Sequence, residues 1–531
     1  MPSFSVSVAA GIAILAAAVY KLIIYPAFLS PLSKIPAANW TVHFTSLWIN
    51  YIRYTNVENA TVYELHKKKG PIVRMGPAEL SVNCYEGGLK TIYTGGFPKT
   101  EFYINRFMNY GDIKNMFCFI DSKTHSTRKR MLSNVYSKSV VLASPTARAT
   151  SKAILYDRLL PIFQISSDSK NAIEVHSLDY AYAMDTFMAY QFGLDIGTNF
   201  IQDVEKRKRY LHLFFSRRPY LFWTTELPKF TAWMHRLGVR LVPQWVDDAT
   251  VALETWNLDV CDKAEALLSS PAAGSTPAIS YPAIYAVERA KFQEADLKLP
   301  PQMTAKDPRQ TYPRRLDIAS DMYDHNAAAH ETSGDTLTWL YYEMSLRPAL
   351  QKQLRDELLT LAPPILFPTP SADFELPDPK KVDALPLLDA ILQETLRRWV
   401  SVPGGQPRVT PGVCSLAGYD GIPGGVRVQS AAYTLHRNPE VFPDPEAWKP
   451  ERWLDASVDE LNEMKRWFWA FGSGGRMCIG NNIAIHSMKH AIAGIYTNFT
   501  TTVVDAEGIE QDDGFTAGPK GNKLWLQFHH V

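Results

Sequence analysis

Cys478 lies in a string of residue types suited to presenting one thiolate to a metal: Phe471-Gly472-Ser473-Gly474-Gly475-Arg476-Met477-Cys478-Ile479-Gly480. The ligand form of cysteine is the thiolate, so its surroundings must favour negative charge. Glycines at 472, 474 and 475 permit a tight turn through positive φ angles that other residues resist. Backbone N–H groups of such a turn can point at the sulfur. A helix starting just after Gly480 adds its positive end and favours the thiolate further. Phe471 is an apolar anchor leading into the turn. Gly480 leaves room for a flat, bulky group against the backbone, and Arg476 can pair with a carboxylate of that group.

A second set of residues is Ala327-Ala328-Ala329-His330-Glu331-Thr332. Three alanines make a flat helix face where a planar group and O2 can approach. A carboxylate and a hydroxyl follow side by side, and such a pair can relay protons through ordered water without flooding a site. A third set is Glu394-Thr395-Leu396-Arg397, with Pro450-Glu451-Arg452-Trp453 downstream. Glu394 and Arg397 share a helix face at i, i+3, and Arg452 can complete a Glu–Arg–Arg cluster before the cysteine turn.

The complete pattern Phe-x-x-Gly-x-Arg-x-Cys-x-Gly resembles the haem-binding loop of the cytochrome P-450 monooxygenases. The resemblance implies that Cys478 is the iron ligand, with Phe471, Gly474, Arg476 and Gly480 shaping its loop. A thiolate in that place pushes electron density onto iron and favours O–O cleavage. The alanine segment resembles the family's oxygen-binding motif, Ala/Gly-Gly-x-Asp/Glu-Thr. This implies that Glu331 and Thr332 deliver protons. Ala329 replaces the usual glycine and puts the family's local helix distortion in question; His330 reads as an oriented polar neighbour. The strings around Glu394 and Arg452 resemble the family's Glu-x-x-Arg and Pro-Glu-Arg-Phe/Trp motifs, which implies a structural role. Gly405–Pro411 resembles the strand whose arginine, here Arg408, contacts a haem propionate. His125–Arg130 resembles the helix carrying Trp/His-x-x-x-Arg, with His125 in place and Lys129 where the arginine would stand. Lysine offers a point charge and no bidentate fork.

Three helices must position these groups. The pattern predicts Ile318 to Leu346, ending before Pro348, then Leu387 to Trp399 after Pro386, and Asn482 to Thr497 after the cysteine turn. Ile72–Met75 and Glu79–Val82 flank Gly76-Pro77 as a hairpin, and helical periods dominate from about 145 to 350. Breaks near 270–282 and 361–379 read as connections. Arg217–Trp223, mixed basic and aromatic, reads as a helix–loop junction. Phe117 is a candidate either for the pocket or for the core.

Composition fits one large globular unit. Of 531 residues, 46% are apolar and 21% charged, and the formal net charge is +1, which points away from a nucleic-acid binder. Five cysteines lack zinc-ligand spacing and argue for reducing surroundings. Phe4 to Tyr20 is uncharged and Leu22 to Leu29 largely apolar. Together they are long enough for one membrane span. Basic residues follow the apolar run, which predicts a retained anchor with the bulk of the chain cytoplasmic. Tyr25 to Pro36 carries three prolines and reads as a stiff, non-helical hinge, like that of fungal microsomal members. Sequons at Asn39, Asn59 and Asn498 would then be unglycosylated.

The expected fold is therefore mainly α with small β-sheets: a cytochrome P-450 fold with residues 31–531 as the catalytic domain, preceded by one transmembrane helix within residues 1–30. The resemblance implies a haem b enzyme of the endoplasmic reticulum membrane that inserts one atom of O2 into a lipophilic small molecule, in fungal secondary metabolism. Without a Rossmann or flavin signature in the chain, NADPH-derived electrons would come from a membrane-bound NADPH–cytochrome reductase. Lys465, Arg466 and Lys489 are candidate docking cations. The alternatives are a haem-thiolate isomerase or dehydratase, and a non-catalytic haem-binding membrane protein.

Overall fold

The computed structural model describes residues 2–297, 309–369, 371 and 373–531. Its centre is the helix Arg315–Ser345. Polar residues such as Asp321, Asn326 and Asp335 are as buried here as the apolar ones, the mark of a helix enclosed on every side. It runs as a continuous α-helix through Ala329, so the distortion put in question by the missing glycine is absent. The helix stops where Pro348 opens the next one, Pro348–Leu358, because the residue before a proline is driven out of helical geometry.

Helix Val175–Phe192 packs most closely on this central helix. Gly334 permits the approach: a β-carbon there would fall 2.1 Å from Tyr180 Cδ1. Polar groups at the crossing find one another, with the Tyr180 hydroxyl donating to Asp335 at 2.6 Å and the Thr338 hydroxyl to Asp179 at 2.9 Å. Helices Gln244–Ser269, Pro386–Arg398 and Asn481–Asn498 complete the surround. Trp339 stacks on Trp399 with ring centres 5.3 Å apart. The predicted helices are all present, with ends shifted by three residues at most.

The sheets are small and lie to one side. The predicted hairpin forms, with Ile72–Gly76 antiparallel to Glu79–Val82. Its second strand runs parallel to Arg427–Gln429, which pairs antiparallel with Arg408–Val409. Strands Ile173–Glu174, Trp525–His530 and Phe499–Asp505 make a second sheet, and Cys414–Leu416 with Tyr419–Ile422 a third.

The Glu394 cluster forms as the motifs predict. Arg397 donates through Nε and Nη2 at 2.9 and 2.8 Å, and Arg452 Nε donates at 3.0 Å. Two further donors join them: Trp453 Nε1 at 3.0 Å and the Lys449 amide at 2.9 Å.

At the N-terminus, Val8–Leu29 is helical, is not buried inside the protein, and is long and apolar enough to cross a membrane. Here the structure corrects the hinge. Helix Pro2–Val19 continues as a wider-wound stretch, Tyr20–Leu29, with Pro26 inside it. The wider winding accommodates the ring and its missing N–H, and Arg74 Nη1 takes up the Pro26 carbonyl at 2.9 Å. The chain leaves the helix only at Ser30, before the turn Pro31–Lys34. Two sequon asparagines, Asn59 and Asn498, are buried, and Asn498 Nδ2 donates to the Ile365 and Gly494 carbonyls. All five cysteines are unpaired. The break at 270–282 is a surface connection built from two short turns, Ala273–Ser275 and Ala278–Ser280; positions 370 and 372 of the second break lie outside the described residues.

Candidate active site

A cavity of about 570 Å³ separates the central helix from the cysteine turn. Ala327, Ala328, Ala329, Glu331 and Thr332 line one side, while Phe471, Gly472, Arg476, Cys478 and Gly480 line the other. The sequence places these two groups almost 150 residues apart, and the packing of Asn481–Asn498 against the central helix brings them face to face.

The turn is built as the glycines suggest, with one correction. Gly472 and Gly474 have φ of +68° and +67°, but Gly475 does not use the left-handed region. The Cys478 amide closes the loop on the Phe471 carbonyl at 2.9 Å. Gly474 is needed twice over, since a β-carbon there would lie 2.5 Å from the Tyr93 carbonyl oxygen. Gly474→Ala is therefore expected to destabilise the loop by about 1–3 kcal/mol, read as a lowered melting temperature with faster loss of bound prosthetic group.

Cys478 is walled by protein, yet its sulfur opens onto the cavity. Burial pushes its thiol up, while the Gly480 and Asn481 amides and the Lys129 charge pull it down. The expected N–H donors are thus present, but without a metal they do not overcome burial. Lys129 lines the cavity, and its ammonium donates to the Gly475 and Met477 carbonyls at 3.2 and 2.7 Å, which ties it to the turn. His125 lines the cavity, its pKa pushed down to about 3 by burial and then by Arg476, so its imidazole is neutral.

Lys99 and Arg476 line the cavity, and Arg408, buried and not itself a lining residue, is close enough to act on both. Arg476 donates to the Phe119 and Ile120 carbonyls at 2.7 and 2.8 Å. Arg408 donates to the Tyr103 hydroxyl at 2.6 Å and to the Pro407 carbonyl at 2.9 Å. Lys99, which the sequence did not single out, donates to the Phe117 carbonyl at 2.6 Å. Burial and the neighbouring Arg408 and Arg476 hold Lys99 well below the usual lysine range. Among the described residues none of the three forms an ion pair. Clustered basic groups facing neutral acceptors, the Lys99 ammonium destabilised by its neighbours, suit a ligand that brings its own carboxylates. The flat alanine face, the glycine-lined turn and the open sulfur fit the rest of a haem.

On the helix side, Glu331 is buried and ion-paired with Arg218. Arg218 comes from the mixed basic and aromatic stretch, which does form a helix–loop junction at Arg218–Tyr220 and Leu221–Thr225 and also borders the cavity. Thr332 Oγ1 donates back to the Ala328 carbonyl at 3.0 Å. His330 turns away into an aromatic nest, 4.6 Å from Phe214 between ring centres, with Nδ1 on the Asn326 carbonyl at 2.9 Å. Asp324, also not singled out, lines the cavity one helical turn before Ala328, and burial beside Asp321 pushes its pKa up to about 8. Helical spacing from the alanine face is the signal by which it can be found. Phe117 lines the cavity too. One docking cation is corrected: Lys489 is buried and paired with Asp389 at 2.7 Å and Asp383 at 3.5 Å, whereas Lys465 and Arg466 are exposed.

A mainly helical protein whose cysteine opens onto a cavity, opposite an acid–alcohol pair, has the layout of a haem-thiolate monooxygenase. The family model for cytochrome P450 matches residues 292–526, the span carrying all three motifs. It is similar to cytochrome P450 monooxygenase avaI of Aspergillus versicolor, 27% identical across 81% of this chain and 95% of that protein. It is also similar to cytochrome P450 monooxygenase cypX of Dothistroma septosporum, 27% identical across 89% of this chain and 85% of that one. A third relative, fusicoccadiene C-8 hydroxylase of Alternaria brassicicola, is 26% identical across 91% of this chain and 87% of that protein. The likeness supports a haem-thiolate monooxygenase, which implies haem iron, electrons from a redox partner and a small-molecule substrate.

Proposed function

We propose that the protein is an anchored haem b enzyme that hydroxylates, or otherwise oxygenates, a lipophilic small molecule in fungal secondary metabolism. The observation that carries the proposal is the placement of the Cys478 sulfur and the Ala327–Thr332 face on opposite sides of one cavity. Bound there, haem supplies the reductive activation of O2 and the transfer of one oxygen atom, the other leaving as water. Cys478 would supply the sulfur ligand to its iron. Arg408, Arg476 and Lys99 hold the propionates, and Lys129 fixes the turn beneath. The residues 31–531 form the catalytic domain, and the N-terminal helix anchors it with the bulk of the chain on the cytoplasmic side of the endoplasmic reticulum. Electrons from NADPH arrive through a separate membrane-bound reductase, which Lys465 and Arg466 can meet with their exposed charge. Among the relatives, a hydroxylase named for the hydrocarbon fusicoccadiene supports a lipophilic substrate.

Glu331 and Thr332 handle protons at the distal face. Arg218 pairs with Glu331 and orients it, and the Thr332 hydroxyl, donating to Ala328, leaves its oxygen free to accept from water. Glu331→Gln is expected to lower product formation by roughly 10²-fold, while haem content stays at the parent level. Product measured against NADPH consumed checks this; an unchanged ratio removes Glu331 from the relay.

The test of the whole reading is the difference spectrum of the reduced protein with carbon monoxide. A strongly red-shifted Soret band is expected. Well-folded protein that takes up no haem would overturn it.

A further inference from the structure

Arg106 stands apart from the other cations of the cavity. Its guanidinium lies 5.3 Å from the centre of the Phe515 ring and 5.6 Å from that of Phe107. Arg106, Phe107 and Phe515 all line the cavity. The arginine is half-buried, and burial lowers its pKa to about 10, so it stays cationic at neutral pH. Its nearest acids are already engaged: Glu331 with Arg218, and Glu226 with Arg427 at 2.8 Å and Arg53 at 3.4 Å. Among the described residues Arg106 has neither a hydrogen bond nor an ion pair. A charge partly withdrawn from water and left unpaired carries a cost, and five donors in a planar fork await an acceptor.

The surroundings limit what that acceptor is. Arg106 belongs to the short helix Phe102–Phe107, whereas the cations grouped around Arg408 and Arg476 sit by the cysteine turn. Lys99, Arg408 and Arg476 influence one another electrostatically, but the charges that act on Arg106 are Glu331, Arg218 and Glu226, on the helix side. It therefore serves a ligand in the space beside Glu331 and the alanine face. Phe107 and Phe117 meet edge to face at 4.9 Å, and Phe515 lies 5.7 Å from Phe107, so the wall beside the guanidinium is aromatic.

We infer that the substrate is a lipophilic acid: an apolar body lying along Phe107, Phe117 and Phe515, with a carboxylate or acidic enol oxygen seated on Arg106. The inference rests on the cavity being the monooxygenase's substrate site, and adds the chemical class of the substrate and the residue that selects it. Arg106 is a specificity residue and takes no part in moving protons or electrons. Its pairing with the substrate's oxyanion fixes which end of the molecule faces away from the alanine roof.

The test uses the full-length haem-loaded protein with naphthoic acid and its methyl ester as probes. The two share an aromatic body and differ in charge. Binding is read by calorimetry and by the haem absorbance shift. The acid is expected to bind at least about tenfold more tightly than the ester, as a charge-assisted hydrogen bond commands. Arg106→Gln should abolish that preference while leaving the ester's affinity and the carbon monoxide band in place, and Arg106→Lys should restore part of it. Equal binding of acid and ester by the parent protein overturns the inference, as does a preference that survives in Arg106→Gln. Loss of the carbon monoxide band in the parent protein would be a different failure, that of the haem-thiolate reading itself.

Discussion

Cys478→Ser leaves a folded protein without a thiolate-ligated iron and without monooxygenase turnover. The expectation follows from how little else in the site can replace the sulfur. Among the described residues no group of three or more His, Cys, Asp or Glu side chains is placed to hold a metal. The two imidazoles nearest the question do not substitute: His125 is neutral and lies beside Arg476, and His330 is directed into the nest of Phe214 and Tyr210. A serine oxygen also lacks the polarisable electron density with which thiolate favours O–O cleavage. The fold should survive, because the loop is closed by backbone groups. The Cys478 amide on Phe471, the Met477 amide on Gly474 and the Lys129 contacts do not use the sulfur. The measurement is the reduced carbon monoxide spectrum of parent and variant beside their melting curves. A red-shifted band that persists in the serine variant would remove Cys478 from the iron.

Which features were legible in the sequence follows from the range over which they are encoded. The cysteine turn, the Glu331–Thr332 pair and the Glu394–Arg397 pair are each local, and their chemistry depends on spacings of a few residues. The helices that carry them have start and stop signals at Pro348 and Pro386 that can be read without a fold. Arg218 as the partner of Glu331 lies 113 residues away in sequence, so only packing reveals it. The same holds for Lys99, brought beside Arg408 by an isolated antiparallel bridge, and for Arg106, whose meaning comes from the acids that others have taken. Lys489 misled for the converse reason: a lysine on a polar stretch of helix reads as exposed until Asp383 and Asp389 close over it. The hinge misled because proline normally ends a helix. A widened winding that absorbs one depends on Arg74 holding the freed carbonyl, and that contact crosses nearly fifty residues.

Glu394→Ala is the second large effect, and it should reach the haem site from a distance. Glu394 is fully buried and its two oxygens accept from Arg397, Arg452, Trp453 and the Lys449 amide. Truncation leaves the fully buried Arg397 with carbonyl partners only, those of His436, Pro445 and Ala447 at 3.1, 2.7 and 2.9 Å. Breaking a buried pair in this way costs about 3–5 kcal/mol, since the remaining charge has no counter-ion. A connected path leads from there to the cysteine. The Trp469 amide donates to His436 Nε2 at 2.7 Å, which makes Nδ1 the protonated nitrogen that donates to the Arg397 carbonyl at 2.9 Å. Burial, and then the Arg397 charge, pushes the His436 pKa down to about 3, so the acceptor lone pair stays available at neutral pH. Trp469 in turn donates through Nε1 to Ser473 Oγ at 2.9 Å, inside the turn, and packs edge to face on Tyr93 at 4.6 Å. The Tyr93 carbonyl is the group that Gly474 must approach. Loss of Glu394 should therefore loosen the turn as well as the fold. The expected result is a lowered unfolding midpoint, with haem released before the bulk of the helix signal is lost. Haem absorbance and circular dichroism followed through one denaturant titration check this. Coincident transitions in the variant would show that the cluster stabilises the domain as a whole and has no separate hold on the cysteine turn.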